Sequence, residues 1–423
     1  MEKENTPKKF YPAGTESIFS EEICFESNFS ELLSMKPAFV ATAKIIRDAI
    51  SDGMPVYVRH HADADGYAGG IALEKAIAPI IRKLRFNDTW RYFDRQPSKS
   101  PFYDYSDVLR DIISSKRNTE RFGSKLPLVV LVDIGSTKED LLALRRAKIH
   151  GLKVVVVDHH SPGKVEAGKS AVDKYIESHI NPYLFGHDKN ITAGMLAYEL
   201  ARTIDTGVYA PILPAVAGTG DKSHGKIFDE YVKESGEAPE FLKKLALCVD
   251  FEAYHLRFMN DSGIISELLT LSDSARKTVE LLSCEIVERI TAQKAVIKEY
   301  STVETLENGF VMGLFDAENC MEQGRFPSTG KTSGIFMEFL SEKHKNTPII
   351  AIVFTKGSLS MRADNSAAKR GFDLNKLVQE LASCIPETQI EGGGHNVAGA
   401  LRFVPAGKNK VLEGIKQYIS KLA

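Results

Sequence analysis

Three short apolar runs constrain this chain more than any other feature. They are Pro55-Val56-Tyr57-Val58, Leu128-Val129-Val130-Leu131-Val132 and Val154-Val155-Val156-Val157. Each is brief, rich in β-branched residues and unbroken. A strand with one wet face alternates apolar and polar residues, so an unbroken run marks a strand covered on both faces. Amphipathic stretches lie between the runs, and their spacing predicts helices over Gly69–Lys83 and Lys138–His150. A further helix is expected over Pro37–Ile50. The alternation argues for an α/β domain with a mostly parallel sheet.

The chain has 423 residues, too many for one domain of roughly 150. Residues 1–35 are polar and read as a weakly ordered arm. The first α/β domain is expected over 36–222. Beyond Asp221 the strand signals stop. Residues 223–301 have helical spacing and read as a helical connector, including one long helix over Ser274–Tyr300 capped by Ser274. The connector is either a partner surface or a solvated linker. Strand signals return at Phe310–Phe315, Pro348–Phe354 and Ser358–Arg362. Helical patterns at Ser333–Glu342 and Asp373–Cys384 alternate with them. Residues 302–423 thus read as a second, smaller α/β domain.

Composition excludes several classes. Hydrophobic residues make up 43% and charged residues 26%, which rules out a mostly disordered chain. The net charge is −2, so a histone-like wrapper is excluded. Nucleic-acid contact would need a local basic patch. Candidates are Lys116–Lys125 and the pair Lys369-Arg370, either of which could instead be a solvated face. The five cysteines lie far apart with no C-x-x-C pair, which excludes a zinc ribbon and suits reduced thiols. No apolar run approaches the ~20 residues of a membrane span, and MEKENTPKKF lacks the apolar core of a secretory signal. The expectation is a cytoplasmic protein that does not enter membranes.

In open α/β sheets, ligands bind beyond the carboxyl ends of the strands. After the first run comes His60-His61-Ala62-Asp63-Ala64-Asp65-Gly66. After the second comes Asp133, and after the third Asp158-His159-His160. A fourth acidic position, Asp221, ends Gly218-Thr219-Gly220-Asp221. A single Asp after a strand is usually a turn former or helix cap. The set differs, because acidic groups gathered on one sheet edge repel unless a counter-charge sits among them. A divalent cation supplies it. Oxygen and imidazole donors without thiolate suit Mn²⁺ or Mg²⁺, with Zn²⁺ and Co²⁺ less well matched. Asp63, Asp65, Asp133, Asp158 and Asp221, with the adjacent histidines, can supply two metals. Such a pair activates water and steadies the leaving oxygen of a phosphoester. In the second domain, Gly392-Gly393-Gly394-His395 is either a loop whose backbone N–H groups approach a phosphate or a plain glycine-rich turn. Arg362, at a strand end, is either a bidentate phosphate clamp or a surface arginine.

These residues resemble the DHH phosphoesterase superfamily, which includes the RecJ nucleases. The naming tripeptide stands as Asp158-His159-His160. The first motif is His61-Ala62-Asp63-Ala64-Asp65-Gly66, the second ends in Asp133, and the fourth ends at Asp221. The C-terminal Gly392-Gly393-Gly394-His395 resembles the DHH-associated substrate-binding domain of the RecJ and oligonuclease branch. The stretch Arg59–Ile77 is most similar to archaeal RecJ-like proteins.

The resemblance implies two Mn²⁺ ions, with Mg²⁺ or Co²⁺ as possible substitutes. Asp63, Asp65, Asp133, His159 and Asp221 would hold them, with Asp133 bridging. His61, or His60 beside it, would complete one site. Asp158 would support His159, and His160 would face the scissile phosphate. Arg362 and Gly392–His395 would grip the substrate phosphate. No dedicated side-chain base is visible, so metal-activated water would be the nucleophile. The implied activity is exonuclease hydrolysis of single-stranded DNA or RNA. The alternative is a small-substrate phosphodiesterase or phosphatase acting on short oligonucleotides, cyclic dinucleotides or 3′-phosphorylated nucleotides. A third possibility is a non-catalytic scaffold in a replication complex. The helical connector offers a surface for self-association or for a replication or repair protein.

Overall fold

A computed structural model describes residues 19, 22–98, 100–256, 263–322 and 324–422. They form two compact units. The first takes the chain through Val249 together with 263–270, and the second takes 250–256 and the chain from Leu271. The described residues of 223–301 are mostly helical, and they are divided between the two units.

The first unit is built on a sheet of order β2-β1-β3-β4-β5. Its strands are β1 (Val56–His61), β2 (Phe93–Ser98), β3 (Leu128–Val132), β4 (Lys153–Val157) and β5 (Ser178–Ile180). All four pairings are parallel. β3 is buried throughout and β4 at every position except Lys153, as expected for strands covered on both faces. β1 outruns its apolar run. It continues through Arg59, His60 and His61, so the two histidines end the strand rather than follow it. Arg59 is buried and tolerated there because Asp107 and Asp111, from the Tyr105–Phe122 helix, pair with it. β2 and β5 went unanticipated. Phe93–Ser98 is polar and contains Pro97, a pattern confined to sheet edges.

The helix after β1 spans Ala64–Leu84 and starts five residues earlier than its apolar spacing predicts. Asp63 explains the difference. Its Oδ1 accepts the Gly66 N–H at 3.0 Å and caps the helix. Gly66 is required at this junction. A Cβ there would lie 2.3 Å from the His61 carbonyl oxygen.

Of the segment expected to be a polar arm, residues 1–18, 20 and 21 lie outside the described residues. The rest packs down. Phe25 is buried and stacks on Phe39 with centroids 4.6 Å apart, and Ser30–Ser34 forms a short helix.

The second unit carries a mixed sheet of order β10-β11-β9-β8-β7-β6. The strands are β6 (Thr302–Thr305), β7 (Val311–Asp316), β8 (Ile349–Phe354), β9 (Ser358–Ala363), β10 (Glu391–His395) and β11 (Ala398–Arg402). Only β7 and β8 run parallel. Alternate residues of β8 feed two cores. Ile350 and Ile352 pack with Phe310, Met361 and Leu401, while Ala351 and Val353 pack with Phe315 and Phe336. The long helix spans Asp273–Tyr300. Its cap is Ser272, whose Oγ accepts the Ala275 N–H at 3.2 Å, and not Ser274.

The glycine cluster is also corrected. Gly392-Gly393-Gly394 is neither a loop nor a turn but most of strand β10, paired antiparallel with β11. Gly392 and Gly394 have φ of +146° and +147°, and a Cβ at either would come within 2.5 Å of β11 backbone. Glycine is depleted in strands, so the run reads as irregular. Here it permits close backbone approach.

Candidate metal centre

Parallel register brings the ends of β1, β3 and β4 to one edge of the first sheet. His60 pairs with Val132, and Val132 with Val157. His61, Asp133 and Asp158 therefore emerge side by side. Asp63 and Asp65 enter from the first turn of the Ala64–Leu84 helix, and Asp221 from the C-terminal end of the Ile212–Gly220 helix.

The side chains converge on Asp133. Three groups of donors that share Asp133 are compact enough for an ion: His61–Asp63–Asp133, Asp65–Asp133–His159 and Asp133–Asp158–His160. Donor atoms within each lie within 4.8 Å of one another. His61 Nδ1 is 2.8 Å from Asp63 Oδ2 and 3.2 Å from Asp133 Oδ2. His159 Nε2 lies 3.2 Å from Asp221 Oδ2 and 3.4 Å from Asp133 Oδ1. Asp133 itself has φ +60°, a left-handed conformation uncommon outside glycine and asparagine-like residues. Its Oδ1 is buried without a hydrogen bond. A buried carboxylate oxygen left this way is costly, and a cation would satisfy it. The donor set, oxygen and imidazole without sulfur, fits divalent cations such as Mn²⁺ or Mg²⁺.

Electrostatics follow the crowding. Burial, then the charges of Asp133, Asp221 and Asp63, push the Asp65 carboxyl well above its ordinary range. Asp221 is raised by burial and by Asp63 and Asp133. Burial pulls the His61 and His159 imidazoles down, but the carboxylates around each outweigh it and hold both well above the ordinary histidine value. Burial likewise opposes ionisation of Asp63, yet His61 holds it below the usual carboxylate range. Without metal, protons on the imidazoles provide the counter-charge.

The backbone orients these ligands. His159 Nδ1 lies 2.8 Å from the Lys189 carbonyl. A carbonyl only accepts, so Nδ1 carries the proton and Nε2 faces the carboxylates. Asp65 accepts the Ala193 and Gly194 N–H groups at 3.1 and 2.9 Å, at the start of the Ala193–Ile204 helix. Neither support was anticipated. The Lys189 carbonyl has no sequence signature, but Thr192 ahead of an apolar-periodic stretch is a readable helix start.

His60 and His61 divide cleanly. His60 is fully buried and turned to Arg95, whose Nη1 is 3.1 Å from its Nε2. Arginine only donates, so His60 Nδ1–H donates to the His61 carbonyl at 2.7 Å. Burial and then Arg95 push His60 down to about 3, so it stays neutral. Only His61 faces the acidic cluster.

Asp158 also differs from expectation. Its Oδ1 accepts the backbone N–H groups of His159 and His160 at 2.8 and 3.1 Å, and Oδ2 accepts from Ser136 N at 3.1 Å. The imidazole it holds is that of His160, at 2.8 Å, rather than that of His159. The reason is local geometry, since the His159 ring turns to the Lys189 carbonyl. Burial lowers His160, but the Asp158 charge prevails and brings it up to about 9.

In the second unit, Arg362 and His395 share a row. His395 on β10 and Arg362 on β9 both pair with Ala398 of β11. Residues opposite one another project to the same face. β10 is an edge strand, so one row of its backbone groups lies outside the ladder. The Arg362 guanidinium and the His395 imidazole thus share one face of this sheet.

An open parallel sheet with an acid-and-imidazole cluster at its carboxyl edge is an arrangement that could hold divalent cations. Residues 55–219 match the model of the DHH family, N-terminal domain. The chain belongs to the DHH family. It is 41% identical over 410 residues to an uncharacterized protein of Methanocaldococcus jannaschii, covering 90% of this chain and 54% of that protein. The chain thus spans about half the length of that curated relative. A solved structure described as the DHH domain of a member of a family of ribosomal proteins matches at 38% identity with a TM-score of 0.90, covering 96% of each chain. RecJ from Thermus thermophilus in complex with Mn²⁺ shares the fold at 18% identity with a TM-score of 0.59, over 92% of this chain and 55% of that one. Among the described residues, no helix is long and apolar enough to cross a membrane.

Proposed function

We propose that the protein is a two-metal phosphodiesterase that removes nucleotides from the ends of single-stranded DNA or RNA. The carrying observation is Asp133, whose buried, unsatisfied Oδ1 belongs to a carboxylate shared by three donor groups. That carboxylate could be shared by two cations, which would satisfy the oxygen.

His61, Asp63 and Asp133 would hold one cation, and Asp65, Asp133, His159 and Asp221 the other, with Mn²⁺ favoured and Mg²⁺ or Co²⁺ as substitutes. Bound cations would supply Lewis acidity to the attacking water and to the phosphate. The chain's own residues do the rest. Asp158 orients His160 and favours its charged form, so His160 would donate a hydrogen bond to a phosphate oxygen. Arg362 and His395, on one face of the second sheet, would bind the phosphate and orient the strand.

The test uses single strands labelled at the 5′ or the 3′ end, as DNA and RNA, with Mn²⁺ and with a dinucleotide alongside. Progressive shortening that Asp158→Ala lacks supports the exonuclease, and the label gives its direction. Turnover of the dinucleotide alone moves the assignment to a small-substrate phosphodiesterase. Absence of any turnover with metal bound overturns the enzyme reading in favour of a scaffold.

A further inference from the structure

The first unit carries a second feature on the outer side of the Tyr105–Phe122 helix. A cavity of about 420 Å³ lies between Trp90 and the later turns of that helix, lined by Arg110, Arg117, Asn118, Arg121 and Phe122 among others. Trp90 is the sole tryptophan of the chain, and 62% of it is exposed. It meets Phe122 edge-on, with centroids 5.5 Å apart. Arg91 lies over the Phe122 ring at 4.2 Å, which fixes that wall. Ile113 and Phe122 are exposed beside it in the same lining, so the three side chains make a contiguous apolar patch rather than a lone surface ring.

The cavity's charge says what covers it. Arg110, Arg117 and Arg121 are spaced seven and four residues apart, which places them along one face of the helix. Arg110 pairs with Asp107, which already serves Arg59. Arg117 and Arg121 are exposed and have no ion-pair partner among the described residues. A line of guanidinium groups beside an exposed ring suits a polyanion with flat aromatic groups.

We propose that this cavity is a remote contact for single-stranded nucleic acid, with a base stacked on Trp90 and backbone phosphates on Arg110, Arg117 and Arg121. The proposal rests on the nuclease reading for its substrate. It adds a place where the strand is held away from the chemistry. The helix runs back from the metal-site edge. Asp107 and Asp111 sit beside Arg59 near the end of β1, whereas Asn118 donates to the Tyr57 hydroxyl at 2.9 Å near its start. The fifteen helical steps from Asp107 to Phe122 span about 22 Å. On this geometry a dinucleotide at the metals would not reach Trp90, whereas a strand long enough to follow the helix would.

The single tryptophan makes the test direct. Wild-type protein in EDTA is titrated with an oligothymidylate or oligouridylate of about 20 nucleotides while the fluorescence of Trp90 is read. Saturable quenching that weakens with salt is expected. Binding of the labelled strand, followed by anisotropy, should weaken about tenfold in Trp90→Ala. In the Arg117→Ala, Arg121→Ala double variant the logarithmic salt slope should become shallower by about 1.4. These side chains are exposed, so circular dichroism should show both variants folded. A strand that binds by anisotropy without altering Trp90 fluorescence, or with unchanged affinity and slope in the variants, overturns the proposal. The metal-centre reading is tested apart, by wild-type turnover of a dinucleotide with Mn²⁺. Turnover without quenching refutes only the remote contact, and quenching without turnover on any substrate refutes only the nuclease.

Discussion

Asp158 Oδ1 holds His160 Nδ1 at 2.8 Å while also accepting the backbone N–H of His160. The carboxylate therefore fixes both the ring and the main chain of one residue. It is a positioning group, with its oxygens already engaged by four protein donors.

This pairing predicts the behaviour of Asp158→Asn. The amide keeps the shape and an acceptor but removes the charge. In the metal-free protein His160 should fall from about 9 toward the ordinary value of about 6.5. NMR titration of its ring protons reads that shift. Hydrolysis should drop about 10- to 100-fold, as for other groups that orient site histidines, while metal affinity changes far less. An unaltered rate would remove Asp158 from the mechanism.

Asp133→Asn separates stability from function. The cluster gathers five carboxylates around three imidazoles. Removing the Asp133 charge relieves Asp65 and Asp221, and asparagine tolerates the left-handed backbone at φ +60°. The same change takes a carboxylate partner from His61 and His159, so the two effects offset and the metal-free Tm should move by no more than about 2 °C. Manganese should then add little to Tm, because both proposed sites share the lost ligand. Calorimetry with and without Mn²⁺ measures both effects.

Gly66→Ala should damage the centre through the backbone. Its Cβ would lie 2.3 Å from the His61 carbonyl oxygen, and that oxygen belongs to the strand end. The loss should be about 2–4 kcal/mol despite the better helix propensity of alanine, with Mn²⁺ affinity falling alongside. Gly123→Ala is the control. It has φ +66° but nothing within 4 Å of a Cβ, so it should cost about 1 kcal/mol and leave metal binding intact. Urea unfolding and metal titration compare the two.

What was legible in the sequence followed its chemistry. Continuous valine runs marked β3 and β4, and the acids after them marked the edge on which His61, Asp133 and Asp158 meet. Less legible were features set by tertiary context. β1 carries Arg59 and two histidines because Asp107, Asp111 and Arg95 lie beside them. β10 is three-fifths glycine because β11 approaches too closely for a Cβ. Which histidine faces the acids depended on Arg95, a residue on a polar edge strand that carries no apolar signal. The partner of Asp158 turned on the Lys189 carbonyl, which no side chain announces.

The imidazoles set the pH dependence. His61 and His159 hold protons in the metal-free protein because carboxylates face them, and a cation must displace those protons to bind. Their folded values are raised above the unfolded value of about 6.5. The stability from these pairs is therefore fully present below that pH and is lost as pH rises through the folded values. Asp140, buried and raised to about 7, acts in the same direction at lower pH, since ionising it between about 4 and 7 favours the unfolded chain. In EDTA the Tm should fall from about pH 7 to pH 9, above the range in which the neutral His60 acts in the opposite direction. With Mn²⁺ the added stabilisation should instead grow over that range, as the competing protons leave. Isothermal titration in two buffers of different ionisation enthalpy should show protons released on binding at pH 7, and fewer released in His61→Ala. A metal affinity independent of pH would mean that the cation binds without these imidazoles.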